Sequence, residues 1–286
     1  CEMSDVIIAC MGLDSSLEGE EGDEGNEFAS GDKPNLNLPG LQEEVLETIY
    51  ASGKPVVLVI LSGSALAVTW ADEHIPAIIE GWYPGAQGGR ALASVLFGEY
   101  SPEGKLPVTF YRTTEELPAF TDYAMKGRTY RYMTQKALYP FGYGLSYTDF
   151  ELSGVSLSQD TVAKDSEITV KAMLKNTGTM AGVETVQVYV KSCREDAPNA
   201  QLKALKKVHL ALGEEKEVAL TLSAKSFGLH NENGDMVLEA GEYLVYVGTQ
   251  QPDARSRELT GKQPECRKVA AAQTEVLEPV CLDSRG

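Results

Sequence analysis

Two hydrophobic patterns divide this chain. In the first third, short unbroken apolar runs alternate with amphipathic stretches. Asp5-Val-Ile-Ile-Ala-Cys-Met-Gly12 and Pro55-Val-Val-Leu-Val-Ile-Leu61 have no polar side chain between their ends. Such runs fit strands covered on both faces, as in parallel sheets. Between them, residues 39–50 place Leu41, Val45, Leu46 and Ile49 on one face. Pro39 at the start and acids in the first turns predict a helix, ended by Ser52-Gly53. A third strand is predicted within 75–82 and a helix over 88–98, with Leu92, Val95 and Leu96 on one face. Residues 65–70 fit a short helix or a turn. Gly104-Lys-Leu-Pro-Val-Thr-Phe110 reads as an edge or late strand, because Pro107 has no N–H to give a ladder. The alternation predicts a wound α/β domain with a mostly parallel sheet over residues 1–110, incomplete at three central strands.

From Asp149 the period changes to two. Strands are predicted at 150–157, 167–175, 184–191, 206–210, 217–222 and 243–247. The segment 167–175 alternates cleanly, as a half-exposed antiparallel strand should. Asn176-Thr-Gly178, Asn231-Glu-Asn-Gly234 and Ala240-Gly241 read as turns. Short strands at this spacing over residues 149–250 predict an all-β, immunoglobulin-like sandwich. Residues 111–148 form an aromatic linker centred on Tyr139-Pro-Phe-Gly-Tyr-Gly-Leu-Ser-Tyr-Thr148. A linker so rich in rings reads as a latch rather than a loose tether, with a sugar-stacking platform as the other reading. Residues 251–286 are expected to hold one last strand near 256–260 and then a poorly ordered polar tail.

Charge narrows the function. The chain has 286 residues and a net charge of −17. That argues against nucleic acid and against anionic membranes, whose phosphates need basic partners. The longest apolar runs are far below a membrane span. Five Cys and three His are scattered without metal-ligand spacing, and no disulfide framework is suggested. No Gly-rich dinucleotide fingerprint or Walker loop is present, so no cofactor and no metal are expected. The chain shows no signal peptide, lacks an initiator Met and begins almost inside a strand. It therefore reads as the later part of a longer polypeptide, with localisation left open and the cytoplasm slightly favoured.

The candidate chemistry lies in the loop after the first strand. Asp14 to Asp32 holds eight acids and no Lys or Arg. Crowded carboxylates repel one another, and solvent, a cation or a catalytic task relieves the repulsion. Strand ends in open α/β sheets are where sites are built, and the glycines here let backbone come near a ligand. One of these carboxylates is a candidate general acid/base. A solvated acidic loop is the competing reading. A calcium loop fits less well, because the alternating ligand spacing is missing.

Several short motifs occur in one order: Gly12-Leu-Asp-Ser-Ser-Leu-Glu-Gly-Glu-Glu21, Gly31-Asp-Lys33, Leu36-Asn-Leu-Pro39, Trp82-Tyr-Pro-Gly85, Leu96-Phe-Gly98, Gly104 to Phe110, Gly127-Arg-Thr-Tyr-Arg-Tyr132, Tyr139 to Thr148, Lys175-Asn-Thr-Gly178, Ala181-Gly182, Val186-Gln-Val-Tyr-Val190 and Gln201-Leu-Lys203. Together they resemble the C-terminal half of glycoside hydrolase family 3, the β-glucosidases and β-xylosidases. The resemblance implies an N-terminal (β/α)8-like barrel domain as partner within the same enzyme, an α/β sandwich domain, and a fibronectin type III-like domain. This chain matches the later part of the second and all of the third. The resemblance implies the nucleophilic Asp in the barrel and, at Glu20, the general acid/base that breaks the glycosidic bond, with Glu18 and Glu21 as alternatives. A retaining β-glycosidase acting on terminal β-D-glucosyl or β-D-xylosyl residues of an oligosaccharide or glycoside is the implied function. Gly127-Arg-Thr-Tyr130 leans toward the xylosidases. Without the barrel the chain is expected to be inactive. The alternative is a non-catalytic carbohydrate-binding or scaffold module. Two departures stand out: Asp32-Lys33 where many members have Asp-Arg, and Ala86-Gln87 where relatives usually have Gln-Glu. Lys lacks the bidentate fork of Arg.

Overall fold

The computed structural model describes residues 3–14, 33–119 and 121–280. The chain folds as two compact units. One comprises residues 1–99, 108–127 and 134–139, the other 100–107, 128–133 and 140–286.

The first unit is built on a parallel sheet of β1 (Ile7–Gly12), β2 (Val56–Leu61) and β3 (Ala77–Glu80), in the order β1-β2-β3. Ile7 to Gly12 pair in step with Val56 to Leu61, and Val57 to Ile60 with Ala77 to Glu80. β2 has a neighbour on each side, which explains its unbroken apolar run. Val56, Leu58, Val59 and Ile60 are all buried. β1 differs from the fully buried strand expected from its run of apolar residues. Among the described residues it is paired on one side only, and Ile8 and Cys10 lie exposed. Helix α1 (Gln42–Tyr50) joins β1 to β2 and sinks Leu46 completely. Helix α2 (Thr69–His74) precedes β3, and α3 (Gly88–Leu96) follows it.

Gly104 to Phe110 forms no strand. Leu106 donates to the Tyr143 carbonyl and accepts from Gly142, while Phe110 makes an isolated antiparallel bridge with Tyr139. The segment is shared: residues up to Pro107 belong to one unit and those from Val108 to the other. A strand cannot run through a point where the chain changes unit and Pro107 withholds its N–H.

The named strands of the second unit pair antiparallel, and an isolated bridge between Thr161 and Ala270 is parallel. One sheet holds β4 (Phe150–Leu157), β5 (Glu167–Asn176) and β8 (Glu215–Ser223), in the order β4-β5-β8. A second holds β6 (Gly182–Ser192), β7 (Gln201–Leu210), β11 (Gly241–Gly248) and β12 (Glu265–Ala271), in the order β12-β11-β6-β7. A small third sheet is made of β9 (Leu229–His230), β10 (Met236–Leu238) and β13 (Glu275–Glu278), in the order β13-β10-β9. Ile168, Val170 and Leu174 of β5 meet Val186, Val188 and Val190 of β6, with Val245 and Val247 of β11, in one core. This is the sandwich the alternation predicted.

The aromatic segment is spent on packing. The Phe141 ring stacks on Tyr130 at 4.1 Å. Gln187 donates to the Gly142 carbonyl (3.0 Å) and accepts from the Tyr189 hydroxyl (2.6 Å). Lys105 spans the Gly144 carbonyl (2.8 Å) and the buried Glu184 carboxylate (2.9 Å). The C-terminal stretch departs from expectation. Residues 254–260 form helix rather than strand, capped by Asp253 accepting from Ser256 N–H at 2.8 Å and closed by Gly261 at φ 70°. The stretch expected to be a poorly ordered tail adds β12 and β13, which bury Val269, Ala271 and Leu277.

Candidate functional site

Because β1, β2 and β3 are parallel, their carboxyl ends share one edge, the edge where open α/β sheets build sites. Gly12 ends β1 at φ 135°, and a Cβ there would meet the Leu61 carbonyl oxygen at 2.1 Å. Only glycine lets the two strands close at this point. Gln42 clamps the same residue twice, accepting from its N–H (2.8 Å) and donating to its carbonyl (2.9 Å). Leu13 then donates to the Leu61 carbonyl at 2.8 Å. The chain returns at Leu36, whose N–H donates to the Thr114 hydroxyl (2.9 Å) and whose carbonyl accepts from Ala67 (2.7 Å). Leu13 and Leu38 are both buried. Both ends of the acidic loop are therefore fixed at the carboxyl edge.

Glu18, Glu20 and Glu21 lie outside the described residues, as do Asp23, Glu24 and Asp32. Lys33 is described at the return of the loop. Ser62, just after β2, is fully buried, and its hydroxyl donates to the Ser64 carbonyl at 2.6 Å.

Sequence reasoning missed Glu80. This acid closes the apolar β3 and stands at the same carboxyl edge. Its Oε1 accepts from Trp82 N–H at 3.0 Å, while its Oε2 is buried without a hydrogen-bond partner among the described residues. Burial pushes its pKa up to about 7, partly countered by the Trp82 hydrogen bond. Trp82 itself has φ 53°, a costly conformation for a bulky side chain. Its indole meets the buried Phe110 ring edge-on at 6.4 Å. A near-neutral carboxyl beside strained backbone marks candidate functional ground. The signal was an acid ending an apolar run directly before Gly81-Trp82. Farther along the same unit, Tyr139 donates to Asp72 at 2.7 Å. Among the described residues no three His, Cys, Asp or Glu side chains converge to hold a metal ion.

Comparison with known proteins gives two domain matches. Residues 1–147 match the glycosyl hydrolase family 3 C-terminal domain, and residues 184–251 match a fibronectin type III-like domain. A xylan 1,4-β-xylosidase of Xylanibacter ruminicola is 41% identical over 258 residues, covering 89% of this chain and 30% of that protein. A periplasmic β-glucosidase of Salmonella typhimurium is 33% identical, covering 86% of this chain and 33% of that protein. In three dimensions, a β-glucosidase from Erythrobacter marinus superposes with a TM-score of 0.79 at 31% identity, over 95% of this chain and 35% of that one. A glucose-bound β-glucosidase from Listeria innocua gives 0.76 at 30% identity, over 95% and 37%. The chain thus spans about a third of the length of the relatives it matches.

Proposed function

This chain belongs to glycoside hydrolase family 3, and from that premise we propose that it forms the part of a retaining β-glycosidase that delivers the general acid/base carboxylate. The group is Glu20, with Glu18 and Glu21 as alternatives within the same loop. The enzyme removes terminal β-D-glucosyl or β-D-xylosyl residues, and a barrel domain of the longer polypeptide supplies the nucleophile. The observation that carries this reading is the anchoring of the acidic loop at the carboxyl edge, through the double Gln42 clamp on Gly12 and the Thr114 and Ala67 bonds to Leu36. A loop anchored at both ends can present one carboxyl group repeatedly to one place, which acid/base catalysis needs.

In the proposed reaction the barrel carboxylate attacks the anomeric carbon, and the glycosidic C–O bond breaks. Glu20 gives its proton to the departing oxygen. Once the leaving group has gone, the same carboxylate takes a proton from water, and that water hydrolyses the glycosyl-enzyme. Retention requires the two carboxyl groups to stand about 5–5.5 Å apart. An acid that protonates the leaving oxygen must still hold its proton when the nucleophile attacks, so this role calls for a carboxyl group with a raised pKa.

The test is Glu20→Gln in the full-length polypeptide, assayed on nitrophenyl β-glucoside and β-xyloside beside unactivated disaccharides. Hydrolysis of the disaccharides should fall by roughly 10²–10⁴-fold, the usual contribution of acid/base catalysis. Glycosylation by the activated substrates, whose leaving groups need no proton, should fall far less. Equal activity losses on both classes would rule Glu20 out and direct the same assay to Glu18 and Glu21.

A further inference from the structure

The hairpin that joins β9 to β10 carries Asn231-Glu-Asn-Gly-Asp235, and nothing assigned above uses it. Asn233 is the one Asn of the sequence that is followed by Gly. Asn233 and Gly234 are both exposed. Among the described residues the Asn233 side-chain amide makes no hydrogen bond, although its backbone N–H does.

Asn231 organises the turn. Its side-chain oxygen accepts from the N–H of Asn233 (2.9 Å) and of Asp235 (2.9 Å), and its carbonyl accepts from Gly234 N–H at 3.0 Å. Short polar side chains bond to nearby backbone in this way in turns. Gly234 sits at φ 87°, and a Cβ there would meet Val280 Cγ2 at 3.2 Å. The turn therefore requires glycine. The same glycine leaves the nitrogen at 234 without a side chain to screen it. Once its N–H is released, that nitrogen can reach the side-chain carbonyl carbon of Asn233.

We propose that Asn233 is a site of spontaneous deamidation, gated by opening of the Asn231 turn. The Gly234 nitrogen gives its proton to water and attacks Asn233 Cγ. A C–N bond forms, the Cγ–Nδ2 bond breaks, and Nδ2 leaves as ammonia. Water then opens the cyclic imide at either carbonyl, leaving Asp or isoaspartate at this position. In sum, an amide and a water become an acid and an ammonia, with nothing oxidised or reduced. The nitrogen cannot attack while its N–H is held on the Asn231 carbonyl. Reaction is confined to molecules in which the turn is open, and exposed loop tips held by a few hydrogen bonds open at low cost. The product alters the hairpin. Asp at this position adds a charge between Glu232 and Asp235, and like charges repel. Isoaspartate lengthens the main chain by one methylene, next to the Asp235 carboxylate that accepts from Val280 N–H at 2.8 Å.

This chemistry is independent of the glycosidase reading. The test is incubation of the purified protein in mildly alkaline buffer made with heavy-oxygen water, then digestion in ordinary water and mass spectrometry, with fragmentation locating the change. Asn233 should exchange its amide for an acid, carry heavy oxygen and divide into Asp and isoaspartate forms, well ahead of Asn35, Asn37, Asn176 and Asn199. Asn231→Ala should speed the exchange by about tenfold, the scale of two exposed hydrogen bonds. Urea-unfolded wild type should also react faster than the folded protein, a comparison that needs no variant to fold. Exchange at Asn233 no faster than at the other Asn, or a product without heavy oxygen, would overturn the site. Equal rates in the folded, unfolded and Asn231→Ala proteins would overturn gating by the turn.

Discussion

Glu80 makes the stability of this protein depend on pH in a direction that can be worked out. Its carboxyl is held at about 7, against an ordinary value of 4.5. The folded state therefore binds the proton more tightly than the unfolded state. Below the unfolded value both states are protonated and folding pays no penalty. Between there and about 7 the unfolded chain ionises first, and stability falls. Above 7 the loss is complete. The unscreened bound is about 3.4 kcal/mol, from roughly 2.5 pH units at about 1.36 kcal/mol each. Glu80 is half-buried, and solvent screening brings the expectation nearer 1.5 kcal/mol. For a unit of this size that is a shift in Tm of about 5 °C. The assay is thermal unfolding, followed by Trp fluorescence, at pH 5 and pH 8 in the wild type and Glu80→Gln. The variant keeps an acceptor for Trp82 N–H and cannot ionise. Any constant cost of the amide, and the titration of every other group, cancels when the pH 5 to pH 8 difference is compared between the two proteins. Part of the loss has already occurred by pH 5, so the wild type should lose about 3 °C more than the variant. Identical pH dependence would refute the claim that Glu80 carries a desolvated charge.

Two further substitutions probe the scaffold. Gly12→Ala puts a methyl against the Leu61 carbonyl, at 2.1 Å, in a φ that disfavours side chains; it should cost about 3 kcal/mol or more in urea unfolding, and a loss below about 1 kcal/mol would mean the strand end is free to shift. Glu184→Gln strands Lys105, whose ammonium is held between Glu184 and the Gly144 carbonyl; it should cost about 3 kcal/mol, while joint replacement of Lys105 and Glu184 by apolar residues should recover much of that loss in the same unfolding assay.

Legibility followed the physics of each segment. β2 was readable because an unbroken apolar run has few ways to be buried other than as a central strand. β5 was readable because its alternation matches the pleat, and β4 was located to the residue. Helix 254–260 was misread as strand, although Asp253 at its N-cap and Gly261 at its C-cap are local signals that could have marked it. β12 and β13 were overlooked because their outward residues are strongly polar and hide the inward Val269, Ala271 and Leu277. The acidic loop was found from composition alone, and its glutamates remain a proposal.

Sequence by itself determined the class of each unit, the position of the acidic loop after the first strand, and the family, because periodicity and motif order are properties of the chain read locally. Tertiary structure alone decided the rest. It broke the 104–110 segment between two units, paired Gln42 with Gly12, and buried a Glu80 oxygen that has no hydrogen-bond partner among the described residues. It also brought the Asn199 side chain onto the carbonyls of Tyr130 and Met133, far away in the chain. Each of these depends on which distant groups share a small space and what water is excluded there. No local pattern encodes that, since desolvation and pairing arise only once the chain has closed on itself.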